Sequence, residues 1–154
     1  MAFAEGTTVS VEKSRAEIEK LITRYGATST AFMNAPGRAL ILFECKNRRV
    51  VFDLPLPSID EKRFQRDGRG SPRTHVKRHE AWEQACRQRW RALAWVIKAK
   101  LEAVESGITS FEDEFLAHIQ MPDGKSVGDH IKPMIERSYQ TGQMVPLLPP
   151  PRAS

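Results

Sequence analysis

Residues 78–106, RHEAWEQACRQRWRALAWVIKAKLEAVES, predict one long α-helix against which the other elements pack. No proline or glycine interrupts this run, and Gly107 follows it at the position where helices commonly end. At about 100° per residue, the side chains divide into three stripes of different chemistry. We therefore expect this helix to have a role in addition to covering a core.

Two of the three stripes are apolar. The first is expected to face the core, and it contains His79, Trp82, Cys86, Leu93 and Ile97. The second, the alanine stripe, has small side chains that let another backbone approach, and it contains Ala81, Ala85, Ala92, Val96, Ala99 and Ala103. The simplest interpretation is that another helix of the chain packs there. The alternative is a homodimer through Ala81, Ala85, Ala92, Ala99 and Ala103.

The third stripe, the basic stripe, continues a basic segment that precedes the helix, and it contains Lys77, Gln84, Arg87, Arg91, Trp95 and Lys98. Arginine and lysine bind phosphates, and an exposed tryptophan can stack on an unpaired base. The sequence therefore predicts a surface that binds DNA or RNA. Its candidate residues are Lys62, Arg63, Arg66, Arg69, Arg73, Lys77, Arg78, Arg87, Arg91, Trp95 and Lys98. The alternative is a solvated charged face on which a neighbouring element partly covers Trp95.

The chain before the long helix predicts a helix and a sheet. Ser14-Arg-Ala-Glu17 has the pattern of a capping box, so a first helix is expected to begin there and to end at Gly26. Strands are predicted at 28–33, 39–46 and 49–54, with turns at 34–37 and 47–48. Apolar residues alternate in the second and third strands, which is typical of an antiparallel sheet with one buried face.

The predicted fold class is α+β, with an N-terminal helix, a three-stranded antiparallel sheet, the long helix and then two shorter C-terminal helices. The last helix, from Val127 to Tyr139, is expected to kink at Pro133. The predicted organisation is a flexible N-terminus at 1–9, a single α+β domain at 10–140 with an exposed Arg-rich loop at 58–74, and a Pro-rich tail at 141–154.

Composition and charge limit the classes of function. The 154 residues carry a formal net charge of +5, and acidic residues concentrate after Leu101, so we expect a polarised surface that attracts an anionic partner. No apolar run approaches the roughly 20 residues of a membrane span, and no signal peptide is evident, so the expectation is a cytoplasmic protein without a membrane partner. Cys45 and Cys86 are expected to be reduced and buried. No cofactor is predicted.

Two residue pairs have spacings that also occur in metal or catalytic sites. His75 and His79 are four residues apart and could bind a metal from one helix face, although no third ligand is local. Glu44 and Lys46 resemble half of a restriction-endonuclease-like site, and strand alternation would place both on one face. The partner carboxylate of such a site is missing, because no Asp or Glu lies between Glu19 and Glu44. Ordinary polar roles are the simpler interpretation of both pairs.

The order of elements over about residues 12–106 resembles the double-stranded RNA-binding domain. That resemblance implies phosphate contacts at the start of the long helix, near Lys77 and Arg78. The connection after the third strand and the long helix itself are both longer than in that family.

Five sequence motifs look like those of a family of small uncharacterised proteins encoded by tailed bacteriophages. They are Tyr25-Gly-Ala27, Val51-Phe-Asp-Leu-Pro-Leu-Pro57, Arg89-Trp-Arg-Ala-Leu93, Lys98-Ala-Lys-Leu-Glu102 and Phe111-Glu-Asp-Glu-Phe-Leu116. The resemblance implies a phage accessory protein that acts in the host cytoplasm. The predicted function is non-catalytic nucleic-acid binding. The alternatives are a protein-interaction module that inhibits or redirects a host factor, and a nuclease built on Glu44 and Lys46.

Overall fold

The computed structural model describes residues 3–146 and confirms the predicted α+β class. A three-stranded sheet lies against a layer of helices. In chain order the elements are α1 (Val11–Arg24), β1 (Ser29–Ala35), β2 (Arg38–Cys45), β3 (Arg48–Pro55), α2 (Lys62–Gln65), α3 (His75–Glu105), α4 (Phe111–Phe115), a 3₁₀ helix (Leu116–His118) and α5 (Val127–Thr141).

The first helix begins earlier than its apparent capping box. Ser10, not Ser14, is the N-cap, and its hydroxyl accepts the Lys13 N–H at 3.1 Å. Ser14 lies inside α1, fully buried, and its Oγ has no hydrogen-bond partner within residues 3–146. The predicted start at Ser14 was therefore wrong, because Ser10 offers the same capping chemistry one turn earlier.

The sheet is an antiparallel meander in the order β1-β2-β3. Pro36 and Gly37 form the first turn, where Gly37 adopts a φ of +74°. The second turn consists of Lys46 and Asn47, with φ of +50° and +59°. Two positive φ values match the type I′ turn that suits a two-residue hairpin, and asparagine tolerates that conformation. The turn thus lies one residue before the predicted position, and β2 ends at Cys45.

One face of the sheet forms the core with α1 and α3. From α3 the buried residues are Cys86, Trp90, Leu93, Ala94, Ile97 and Leu101. Two expectations about this helix face were wrong. His79 is exposed, because it lies in the second turn of α3, beyond the buried part of that helix. Trp82 is half-buried, and its indole N–H donates to the Pro57 carbonyl at 2.8 Å.

Residues 58–74, which we call the basic connection, differ from the expected exposed loop in having regular structure of their own. They contain the single-turn helix α2, and Arg66 pairs with Pro72 in an isolated β-bridge. Phe64 of α2 is buried and anchors the segment against the body of the protein. Most other side chains of the basic connection are exposed, as expected.

The N-terminal segment also departs from the expected flexible lead. Phe3 meets Trp95 in an edge-to-face contact with ring centroids 4.7 Å apart, and Ala4 is buried. The Thr7 carbonyl accepts the side-chain N–H of Gln84 at 2.9 Å. Residues 3–10 therefore run along α3. Most of the predicted Pro-rich tail, residues 147–154, lies outside the described residues.

The C-terminal elements attach at the β3 edge of the sheet. Phe115 of α4 is fully buried, with ring centroids 6.0 Å from Phe43 and 6.1 Å from Phe52. Farther along, Ile119 forms an isolated antiparallel bridge with Val50. Helix α5 begins with a capping box at Ser126 and continues past Pro133 to Thr141.

Candidate nucleic-acid interface

The basic connection is held in shape by contacts that its own arginines make. The Arg73 guanidinium donates to the Arg63 carbonyl at 3.3 Å, and Arg66 donates to the Gly70 carbonyl at 2.7 Å. The Arg63 side chain pairs with Glu61 at 2.7 Å and lies over the Phe64 ring. A guanidinium has five N–H donors, so each of these arginines keeps donors for a phosphate while it supports the backbone.

The carboxylates of the basic connection offset only part of its charge, because Glu61 pairs with Arg63 and Asp60 with Arg78. Asp67 is engaged within the loop, where its side chain accepts the backbone N–H groups of Arg69 and Ser71, both at 2.9 Å. The Lys62 and Arg69 side chains are exposed and form no ion pair with any residue in 3–146. The basic connection therefore presents cations whose charge the described part of the chain does not neutralise.

A cleft of about 320 Å³ lies where the basic connection meets α3, and we call it the basic cleft. Its lining contains two guanidinium groups, one amide, one aromatic ring and no carboxylate. The lining residues are Phe3, Arg63, Ala85, Gln88, Arg89 and Ala92. Such a lining can bind a phosphate through the arginines beside an aromatic surface for a base.

Arg89 is a site residue that the sequence prediction missed. It was not included because it falls beside the alanine stripe instead of on the basic stripe. It lies one helical turn from both Ala85 and Ala92 on α3. Because both alanines line the basic cleft, the helical spacing places Arg89 there too. The signal that could have found it is an arginine adjacent to a stripe of small residues.

The start of α3 contributes less free charge than expected. Arg78 pairs with Asp60 at 2.7 Å and donates to the Ile59 carbonyl at 3.0 Å, so it ties the basic connection to the helix. Lys77 lies 3.3 Å from Glu80. Both residues stay near the basic connection, but each already has an acidic partner.

The predicted basic stripe farther along α3 is partly covered. Arg91 pairs with Glu17 of α1, and its side chain is only 16 % exposed. Arg87 donates twice to Gln84 and lines a different cleft together with residues of α1. Lys98 is exposed. The structure thus brings Arg63 of the basic connection together with Arg89 at the basic cleft, whereas Arg87 and Arg91 lie against residues of α1.

Trp95 lies at the border between covered and exposed surface. Its side chain is 38 % exposed, the Phe3 ring packs against it, and the Arg91 guanidinium lies 5.8 Å from its ring centroid. These contacts agree with the alternative interpretation, in which a neighbouring element partly covers Trp95. Stacking of a base on Trp95 would have to use the part of the ring that Phe3 leaves open.

The alanine stripe is likewise divided. Ala85 and Ala92 line the basic cleft beside Phe3, whereas Ala81 and Ala103 are half-buried and Ala99 is exposed. The N-terminal segment and the basic connection therefore occupy part of the surface that the homodimer alternative assigned to a second copy.

Glu44 and Lys46 do not share a face of the sheet. The Glu44 carboxylate accepts from Arg49 at 2.8 Å on the open face, whereas the Lys46 ammonium lies 5.7 Å from the Phe111 ring centroid on the helix side. The expected alternation was wrong because Lys46 belongs to the type I′ turn. His79 Nδ1 lies 3.4 Å from Glu83, and residues 3–146 contain no group of three or more His, Cys, Asp or Glu that could hold a metal.

Both cysteines are buried and unpaired. Burial raises the pKa of the Cys45 thiol and that of the Cys86 thiol. A raised pKa keeps a thiol protonated and reduces its nucleophilicity, so neither has the environment of an activated cysteine.

No protein-family model matches the chain, and no curated protein or solved structure does either. The resemblances to the phage family and to the double-stranded RNA-binding domain therefore stay predictions. Among the helices within residues 3–146, none is long and apolar enough to cross a membrane.

Proposed function

We propose that this protein binds nucleic acid through the basic connection and the adjacent part of α3. The observation that carries the proposal is the basic cleft, whose lining includes both Arg63 and Arg89 and no carboxylate, although Arg63 also pairs with Glu61 beside it. Lys62 and Arg69 extend the same charge along the basic connection. Phosphate neutralisation by such cations supplies most of the affinity of sequence-independent nucleic-acid binding.

The aromatic lining favours unpaired bases. Phe3 forms one wall of the basic cleft and is 56 % exposed, so its ring can accept a base that is free to leave a stack. Bases within a duplex do not present their faces in this way. We therefore expect tighter binding to single strands than to duplexes of the same length.

The test is fluorescence anisotropy with labelled single- and double-stranded oligonucleotides over a series of salt concentrations. The Arg63→Gln, Arg89→Gln variant removes two proposed phosphate ligands. It should therefore make the negative slope of log K against log salt less steep. The reduction expected for two lost contacts is about 1.4 for single strands and about 1.8 for duplexes.

The matched control removes two charges from α1, outside the basic cleft, in the Lys13→Gln, Lys20→Gln variant. Both side chains are exposed. This control should leave the slope within about 0.5 of the unmodified protein, since neither lysine belongs to the proposed surface. Equal losses in the two variants would mean that net charge alone governs binding. An absence of binding at low salt would refute the proposal outright.

Arg91 distinguishes the proposed surface from the stripe predicted by sequence. Since Arg91 is paired with Glu17 and largely buried, Arg91→Ala should lower stability but leave the salt slope unchanged. Arg89→Ala should do the reverse. If Arg91→Ala flattened the salt dependence in a variant that still folds, the interface would have to include the covered stripe.

A protein-interaction role is a second candidate, favoured by helix α5. Gly128 is its one buried residue among those described, and Ile135 and Tyr139 are exposed. Capture experiments from nuclease-treated host lysate, with Ile135→Asp as the comparison, would test this role. A stoichiometric protein that survives nuclease and is lost with Ile135→Asp would support it. The nuclease alternative is not favoured, because Glu44 and Lys46 diverge.

A further inference from the structure

We propose that β1 pairs antiparallel with β1 of a second copy, so that the two three-stranded sheets join into one. The interaction surface is the outer edge of β1 together with the apolar residues beside it on the open face of the sheet. This proposal does not depend on nucleic-acid binding.

The two edges of the sheet differ in whether another segment of the chain bonds to the edge strand. At the β3 edge, the Gln120 N–H donates to the Arg49 carbonyl at 2.8 Å, and Ile119 bridges to Val50. At the β1 edge, the backbone of Ser29–Ala35 makes no hydrogen bond within residues 3–146 other than those to β2. One edge is thus covered by the chain itself, and the other is open.

The geometry of the hairpin shows which backbone N–H and C=O groups of β1 are free to bond to another strand. Ala35 and Arg38 flank a two-residue turn and therefore form a hydrogen-bonded pair. Because such pairs alternate along an antiparallel ladder, Met33 and Ala31 also bond to β2. The residues between them direct their N–H and C=O groups away from β2. These residues are Thr30, Phe32 and Asn34.

β1 also lacks the features that normally protect an edge. Its sequence, STAFMNA, contains no charged residue and no proline, whereas natural edge strands commonly use lysine, proline or a bulge to prevent pairing. A symmetric pair centred on Phe32 would place Ala31 opposite Met33 of the second copy. About six backbone hydrogen bonds would form across the two-fold axis, with no like charges opposed within the strands themselves. A charge close to the axis is the Arg15 guanidinium of α1, which lies 4.8 Å from the Phe32 ring centroid.

The open face of the sheet supports a second copy as the occupant. An apolar strip crosses this face between two ion pairs, Arg38 with Asp53 at 3.3 Å and Glu44 with Arg49 at 2.8 Å. The strip consists of Ala31, Met33, Leu40, Leu42 and Val51. Its last three residues also line a cleft with the 3₁₀ helix and α5, so Ala31 and Met33 form its uncovered margin. Met33, at its edge, is 54 % exposed. Edge pairing would bring the two strips side by side and cover their exposed margins.

The test is analytical ultracentrifugation of the full chain and of three double variants. Ala31→Lys with Met33→Lys places two pairs of like charges across the proposed seam and should raise the dimer dissociation constant about tenfold to thirtyfold. Ala31→Glu with Met33→Lys places opposite charges there instead and should restore dimerisation. Leu116→Lys with Met121→Lys adds the same charge at exposed apolar positions away from β1 and should have no effect.

A second measurement follows the strand directly. Amide hydrogen exchange at Thr30, Phe32 and Asn34 should be slow at concentrations that favour the dimer and fast in the Ala31→Lys, Met33→Lys variant. A protein that stays monomeric at high micromolar concentration would overturn the proposal. A dimer that the double lysine variant leaves intact would also overturn it, because the contact would then lie on the alanine stripe or on α5.

Discussion

Replacement of Phe115 by alanine tests whether the C-terminal segment is an integral part of the core. The Phe115 side chain is fully buried, and its ring lies among the rings of Phe43, Phe52 and Phe111, at centroid distances of 6.0, 6.1 and 4.8 Å. Phe→Ala substitutions at such positions cost about 3–5 kcal/mol, since the cavity collapses only partly. A domain stable by about 5–15 kcal/mol would lose between about a fifth and all of its unfolding free energy.

Urea denaturation provides the assay, monitored by tryptophan fluorescence and by circular dichroism. All three tryptophans lie on α3 and Phe115 lies on α4, so fluorescence shows whether the substitution in α4 affects the unfolding of α3. The control is Leu116→Ala, one residue farther along and 46 % exposed, which should cost less than about 1 kcal/mol. Two results would mean that α4 is attached to the core and not part of it. One is a loss of unfolding free energy below about 1 kcal/mol for Phe115→Ala. The other is a shift of the circular dichroism transition while the fluorescence transition stays unchanged.

Three further substitutions have expected outcomes. Gly128→Ala should loosen α5, because a Cβ there would lie 2.9 Å from the Ala117 carbonyl oxygen, and faster amide exchange confined to α5 would show it. Ser14→Ala should be neutral or stabilising by up to about 1 kcal/mol in urea titrations, since it removes a buried hydroxyl without a partner and improves helix propensity. Burial lowers the pKa of His118, so stability should fall as pH drops from about 6.5 through the lower folded-state pKa, and His118→Gln should flatten that dependence between pH 7.5 and 5.5.

The order and class of the elements could be predicted because each one carries a local signal. Alternation of apolar residues identified the strands, and helical spacing identified α3. Boundaries failed where two residues offered similar chemistry, as with Ser10 and Ser14 at the start of α1. Trp90 was left out of the predicted core stripe although helical spacing places it between Cys86 and Leu93. Its indole ring lies against Phe32 of the sheet, with centroids 6.2 Å apart.

The candidate site was harder to predict because exposure depends on tertiary contacts. Arg91 and Arg89 are two residues apart on one helix, yet one is paired with Glu17 of α1 and the other lines the basic cleft. Periodicity assigns each to a stripe but does not say which neighbour covers that stripe. Two neighbours decide it here: α1 covers Arg91 through Glu17, and the N-terminal segment places Phe3 in the basic cleft beside Arg89, and neither contact has a periodic signal in the sequence.

The two proposals together make a prediction that neither makes alone. A two-fold dimer through β1 carries two copies of the basic connection and the basic cleft, so a strand long enough to reach both would bind its second site intramolecularly. The affinity ratio between a long and a short oligonucleotide should therefore rise steeply at one length in the unmodified protein. The Ala31→Lys, Met33→Lys variant should show no such step. Its two added charges strengthen binding to the long and the short oligonucleotide alike, so they do not change the ratio of the two affinities. A step that persists in this variant would mean that two monomers bind one strand independently of β1.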